Sequence, residues 1–145
     1  MAIDEAQRIA ERIGVFMEES DRVAQFLGIK LESIRPGYAK VSLKVREDML
    51  NGFNICHGGV TFTLADVAFA HACNSRNRKT LALNCTINYS APAVKGDTLT
   101  ATAEERLLSG RIGISDVTIT NQDGKAIAYF RGTSYGASEP TKVNL

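Results

Sequence analysis

Two features of this 145-residue chain could carry chemistry: the tripeptide His57-Gly58-Gly59 and the single acid Asp66. The tripeptide opens the run VTFTLADVAFAHACNS, residues 60–75, which is too long for an ordinary strand and is read as a helix. The first N–H groups of a helix lack internal partners, and the helix dipole favours negative charge there. Paired glycines leave those donors unscreened. Such a terminus can polarise a carbonyl and hold a developing oxyanion, an effect worth about 3–4 kcal/mol per donor. A tight turn that needs glycine for backbone reasons is the alternative reading. Asp66 is the one acid between His57 and Ser75, in a helix apolar on nearly every side. An ionised carboxylate there costs several kcal/mol unless paired, so it is either solvent-reaching, bonded to a neighbour, or retained for chemistry.

Gly58 and Asp66 are eight residues apart. Along a helix that is about 12 Å of rise, too far for both to touch one reacting carbon. If both serve one reaction they come from two copies of the chain. The expectation is a homodimer with two equivalent interfacial sites.

Other candidates are weaker. Asn51, six residues before His57, offers an amide to a water or a carbonyl, and asparagine is also a common loop residue. Cys56 beside His57 does not make a thiol–imidazole pair, because sequence neighbours rarely point at each other. His71 reads as a core or interface histidine. Two histidines 14 residues apart and three scattered cysteines give no metal-ligand spacing, so no metal is expected. Arg76, Arg78 and Lys79 follow the helix, where cations suit the dipole, and they could also meet phosphates.

The elements that must position these residues are legible in outline. Residues 4–19 form an amphipathic helix through Ile9, Ile13 and Phe16. From Phe26 to Lys44, alternation around Arg35-Pro36-Gly37 predicts a hairpin, and Glu47 to Cys56 reads as a loop. After a polar break at residues 76–79, four β-rich segments follow: Thr80 to Tyr89, Asp97 to Leu108, Arg111 to Asn121 and Lys125 to Tyr135. Pro92 to Gly96, Ser109-Gly110 and Asp123-Gly124 separate them. This order predicts one α+β domain over residues 1–145, with a core over 26–136 and a tail over 137–145.

Composition narrows the function classes. With 17 basic and 16 acidic residues the net charge is +1, which gives no support to a nucleic-acid or membrane-surface role. The odd count of cysteines, Cys56, Cys73 and Cys85, predicts free thiols in a reducing compartment. The acidic start, Met1-Ala2-Ile3-Asp4-Glu5, does not resemble a secretory signal, and no apolar run reaches a membrane span. A cytoplasmic location is expected.

The stretch NGFNICHGGVTFTLADVAFAHACN, residues 51–74, resembles hotdog-fold thioesterases of the phenylacetate-degradation type, often called PaaI. NCTINYSAP (84–92), GDTLTATA (96–103) and AYFRG (128–132) extend the resemblance over about residues 20–136. It implies a long antiparallel sheet wrapped around the central helix, and hydrolysis of aryl- or acyl-CoA thioesters, with phenylacetyl-CoA and hydroxyphenylacetyl-CoA favoured. CoA is then part of the substrate, and no cofactor is implied. The resemblance implies that Asp66 activates water or attacks directly, and that Gly58 donates to the thioester carbonyl. It implies that Asn51 orients substrate or water and that dimers pair into tetramers; His57 is placed with Asp66, Gly58 and Asn51 among the catalytic residues, and Gly59 among those that bind substrate. CoA is placed near Asn84, Tyr89, Ser109, Gly110 and Arg111. One departure is Ala82, about where relatives carry a Ser or Thr; Thr80 or Thr86 are the nearby hydroxyls. A hotdog dehydratase and a non-catalytic acyl-CoA sensor are the competing readings. The first fits His-Gly-Gly poorly, and the second lacks a DNA-binding segment in the N-terminal 25 residues.

Overall fold

A computed structural model describes residues 4–141. Residues 1–3, which enter the signal-peptide argument, and 142–145, the end of the expected tail, lie outside the described residues. Helix α1 spans Glu5–Ser20 and is capped by Asp4, whose carboxylate accepts from Ala6 N at 3.3 Å. It buries Ala10, Ile13 and Gly14; of the expected stripe Ile13 is buried, while Ile9 and Phe16 are half-buried.

A second helix, α2 (Arg22–Leu27), was not expected. Phe26 and Leu27 belong to it and not to the first strand. Asp21 caps it by accepting from Ala24 N at 2.9 Å, and Gly28 ends it in the left-handed region at φ 72°. The alternation Leu27, Ile29, Leu31 suggested a strand, but the cap and the glycine stop decide the local structure, and β1 begins only at Lys30.

The strands are β1 (Lys30–Arg35), β2 (Tyr38–Lys44), β3 (Arg78–Tyr89), β4 (Thr98–Ser109), β5 (Ile112–Thr120) and β6 (Ala126–Pro140). A short 3-10 turn, Glu47–Met49, and the central helix α3, Gly58–Asn74, lie between β2 and β3. All strand pairs are antiparallel, in one sheet ordered β1-β2-β4-β5-β6-β3. β3 starts two residues inside the expected polar break, and β6 runs five residues past Tyr135 into the expected tail. Arg78 pairs with Pro140, so the extra length of both strands is one ladder.

Bulges in four of the five ladders curl the sheet, as an inserted residue raises local twist. The curled sheet holds α3, which buries Leu64, Ala65, Val67, Ala68, Phe69, Ala72 and Cys73. This is the hotdog arrangement. Phe69 is the largest of the fully buried side chains, and its ring presses on β6 at Gly132, where any Cβ would lie 2.7 Å from it. Phe130 packs against both Phe62 and Phe69, with ring centroids at 5.4 and 5.8 Å. Truncating a ring in such a cluster costs about 3–5 kcal/mol. The helix is thereby fixed in rotation, which decides where Asp66 points.

Candidate active site

The turn into α3 is held from several sides. Cys56 N donates to Ala93 O and His57 N to Met49 O, each at 2.8 Å. His57 is the N-cap of α3, in extended backbone at φ −58° and ψ 134°. Its Nδ1 accepts from Gly59 N at 2.9 Å, so in the neutral ring the proton sits on Nε2. The His57 carbonyl accepts from Val60 N and Thr61 N at 2.9 and 3.2 Å. Gly58 N–H alone in this first turn has no acceptor among the described residues. It is a helix-terminal donor left for a ligand oxygen.

That donor borders a cleft of about 410 Å³ whose lining includes Asn51, Ile55, Cys56, Gly58, Tyr89 and Ile127. Most of these walls are apolar, with Asn51 and Tyr89 as polar points. Asn51 Oδ1 accepts from Phe53 N at 2.9 Å and Ile55 N at 3.4 Å, which shapes the loop before the helix. Its Nδ2 donor has no acceptor among the described residues. The Tyr89 hydroxyl donates to Gly58 O at 2.8 Å, a link across 31 residues that no local motif signals.

Asp66 lies on the partly open side of α3. Gly59, Thr63, Asp66 and Ala70 recur at helical spacing and each retains some exposure, while the residues on either side of Asp66 and of Ala70 are buried. The sequence suggested burial on every side; the structure leaves this one stripe uncovered, with Asp66 in its middle. Burial pushes the Asp66 carboxyl above its ordinary value of 3.8, and the nearby charge of Asp21 adds to the rise. The carboxylate makes no hydrogen bond among the described residues, so a structural partner does not account for it.

The remaining candidates are placed elsewhere. Cys56 is buried, its thiol pushed above its ordinary value by desolvation, and it accepts from Thr61 Oγ1 at 3.7 Å. That is not a thiolate nucleophile. His71 is buried with Nδ1 2.9 Å from Val67 O, a core residue as expected. Thr80 Oγ1 donates to Arg78 O at 2.8 Å, and Thr86 lines a different cleft with Arg106, Asp116 and Arg131. Asn84 is exposed on β3 opposite Thr133. Ser109, Gly110 and Arg111 form the exposed β4–β5 turn, away from the cleft beside Gly58. There Arg111 donates to Tyr135 Oη at 3.0 Å and shares a small cavity with Arg76 and Arg78. Arg76 pairs with Glu105 at 2.8 Å, and Arg78 is spent on the carbonyls of Gly110, Gly136 and Ala137. Lys79 pairs with Glu139 at 3.1 Å.

A sheet curled on one helix, with an unspent amide at the helix start and an unbonded acid at its middle, defines a class: residues 53–128 match the thioesterase superfamily, and the chain belongs to that family. More particularly, it is 47% identical over 119 residues to the acyl-coenzyme A thioesterase PaaI of Escherichia coli, covering 82% of this chain and 85% of that one. The fold superposes on the structure of E. coli PaaI, from the phenylacetic acid degradation operon, with a TM-score of 0.93. That match has 41% identity over 95% of this chain and 100% of the other. A Streptococcus mutans protein solved bound to acetyl-CoA matches with a TM-score of 0.75 and 27% identity, over 79% of this chain and 91% of that one. Among the described residues, no helix is long and apolar enough to cross a membrane.

Proposed function

We propose that the chain hydrolyses acyl-CoA thioesters to the free acid and CoA, with aryl-acyl groups such as phenylacetyl or hydroxyphenylacetyl as substrates. The observation that carries this is the unpartnered Gly58 N–H at the mouth of a mostly apolar cleft. The donor suits the oxygen of a thioester carbonyl, and the cleft suits an apolar acyl group. The name and operon of the E. coli relative favour an aromatic acid.

The site is shared between two subunits in this reading. Gly58 and Asp66 lie on one uninterrupted helix, about 12 Å apart along its axis. An antiparallel partner helix laid on the open stripe of α3 brings Gly58 of one protomer to Asp66 of the other. Strand β3 supports this: it is a sheet edge that leaves Leu81 and Leu83 more than half exposed. Long apolar edges of this kind pair with another strand. Asp66 takes the proton of an attacking water while Gly58 N–H holds the tetrahedral oxyanion. Collapse then breaks the C–S bond, and the CoA thiolate takes the proton back. Direct attack by Asp66, giving an anhydride that water opens, uses the same geometry. Arg111, exposed at the rim of the β4–β5 turn, is the cation offered to a CoA phosphate.

Thiol release from a panel of aliphatic and aromatic CoA thioesters tests this directly. Wild type is expected to turn over aromatic acyl groups fastest, and Asp66→Asn to abolish turnover. Tight binding without turnover of any thioester would replace hydrolysis with acyl-CoA sensing.

A further inference from the structure

We propose that Tyr89 is a positioning residue: its phenol, carried on β3, locks the first residue of α3 so that Gly58 N–H stays aimed at the substrate carbonyl. This rests on the reading of Gly58 as the carbonyl's donor. The contact has two parts. The hydroxyl donates to Gly58 O at 2.8 Å. The ring closes over the same residue, since a Cβ built on Gly58 would lie 3.1 Å from both Cζ and Oη of Tyr89.

Neither part is explained by packing or by hydrogen-bond satisfaction. Tyr89 is 52% exposed, so it does not fill the core. The Gly58 carbonyl already has the Phe62 N–H as its helical partner, so the phenol adds a second bond to a satisfied acceptor. What the phenol supplies is restraint. Gly58-Gly59 is the least restrained dipeptide a helix can begin with, and helix ends fray. The other bonds to this turn come from loop backbone and from the helix's own first residues: Cys56 N to Ala93 O, His57 N to Met49 O, Gly59 N to His57 Nδ1 and Thr63 Oγ1 to Gly59 O. Among the described residues, Tyr89 is the one sheet side chain bonded to the turn. A donor stabilises developing charge only if it is held in place before the reaction. Burial, followed by the nearby Cys56, raises the Tyr89 hydroxyl above its ordinary value of 10.0, so it remains a protonated donor at neutral pH.

The resemblance to PaaI proteins placed Tyr89 on CoA; the geometry gives it a different task, and kinetics separate the two. Tyr89→Phe keeps the ring and removes only the bond. Its kcat is expected to fall about tenfold with KM within about twofold, because small displacements of a catalytic group cost rate more than binding. Difference infrared spectra of a thioester bound to Asp66→Asn supply a second readout. The carbonyl band is expected below its frequency in solution, and to move back toward it in Asp66→Asn/Tyr89→Phe. An unchanged kcat, a rise in KM alone, or a band indifferent to Tyr89 would overturn the proposal. A band in Asp66→Asn already at its solution frequency removes the donor reading of Gly58 itself, and this proposal with it.

Discussion

Gly58 and Asp66 sit on one continuous helix with eight residue steps between them, one at its open N-terminus and one on its partly exposed stripe. About 12 Å of rise separates them, and no rotamer of an aspartate spans that. Any reaction that needs both must take them from different protomers.

Subunit mixing makes this measurable. Gly58→Pro removes the N–H at a helix position that tolerates proline, after a residue already in extended backbone, with Tyr89 yielding a few tenths of an ångström. Asp66→Asn removes the acid. Each homodimer is expected to be inactive. Co-expressed and randomly assorted, half the dimers are mixed and carry one intact site of two, which restores about a quarter of wild-type activity. No recovery in verified mixed dimers would place both residues in a single-chain site and end the interfacial mechanism.

The raised pKa of Asp66 has opposite consequences for rate and for stability. In the proposed mechanism ionised Asp66 is the working base or nucleophile, so the acid limb of kcat/KM is expected above pH 3.8, the ordinary value. Asp21→Asn removes a repelling charge and should shift that limb to lower pH. For stability, a folded pKa above the unfolded one means the favourable contribution holds below pH 3.8 and is lost as pH rises through the folded value. When ionised in the native protein, Asp66 is a desolvated charge with no hydrogen-bond partner among the described residues. Asp66→Asn is expected to raise Tm at pH 7, by an amount that shrinks toward pH 4, while kcat falls about 100-fold or more. A lower Tm for this variant at pH 7 would contradict the account.

Turn chemistry makes much of the candidate site's local structure legible in the sequence. His57-Gly58-Gly59 before a long apolar run marks a helix start through local rules alone, and Pro36-Gly37 and Asp123-Gly124 mark hairpins the same way. Helix α2 was missed although Asp21 and Gly28 signalled its ends, because three alternating apolar residues outweighed a six-residue helix. The Tyr89–Gly58 bond was out of reach for a different reason. It depends on β3 crossing to the far edge beside β6, and on a register that carries residue 89 back to the helix start. Nothing within 31 residues of chain encodes that locally.

The edge of β3 offers a test of assembly independent of catalysis. Leu81 and Leu83 are 63% and 60% exposed on a strand paired only with β6. A charge on such an edge blocks strand addition with little effect on the isolated fold. Leu83→Lys is expected to shift the protein toward monomer in sedimentation velocity, keep its far-ultraviolet circular dichroism, and lose most thioesterase activity. A fully active monomer would remove the shared site.

His71 makes the last case, because it separates stability from catalysis. The ring is 2% exposed, Nδ1 lies 2.9 Å from Val67 O and so carries the proton, and Nε2 has no partner among the described residues. Burial lowers its pKa below the ordinary 6.5, against smaller raising effects from the Val67 carbonyl, Asp21 and Glu18. The sign follows: below pH 6.5 the unfolded chain takes up a proton that the folded chain refuses, so stability falls as pH drops through that value. Thermal melts of wild type should show Tm declining from pH 7.5 to 5.5, and His71→Gln, which cannot titrate, should flatten that decline. Because the ring takes no part in the chemistry, kcat at pH 7.5 is expected to change less than about threefold in this variant. An equal decline in both proteins would assign the acid sensitivity to other groups, and a collapse of kcat with an unchanged fold would bring His71 back into the reaction.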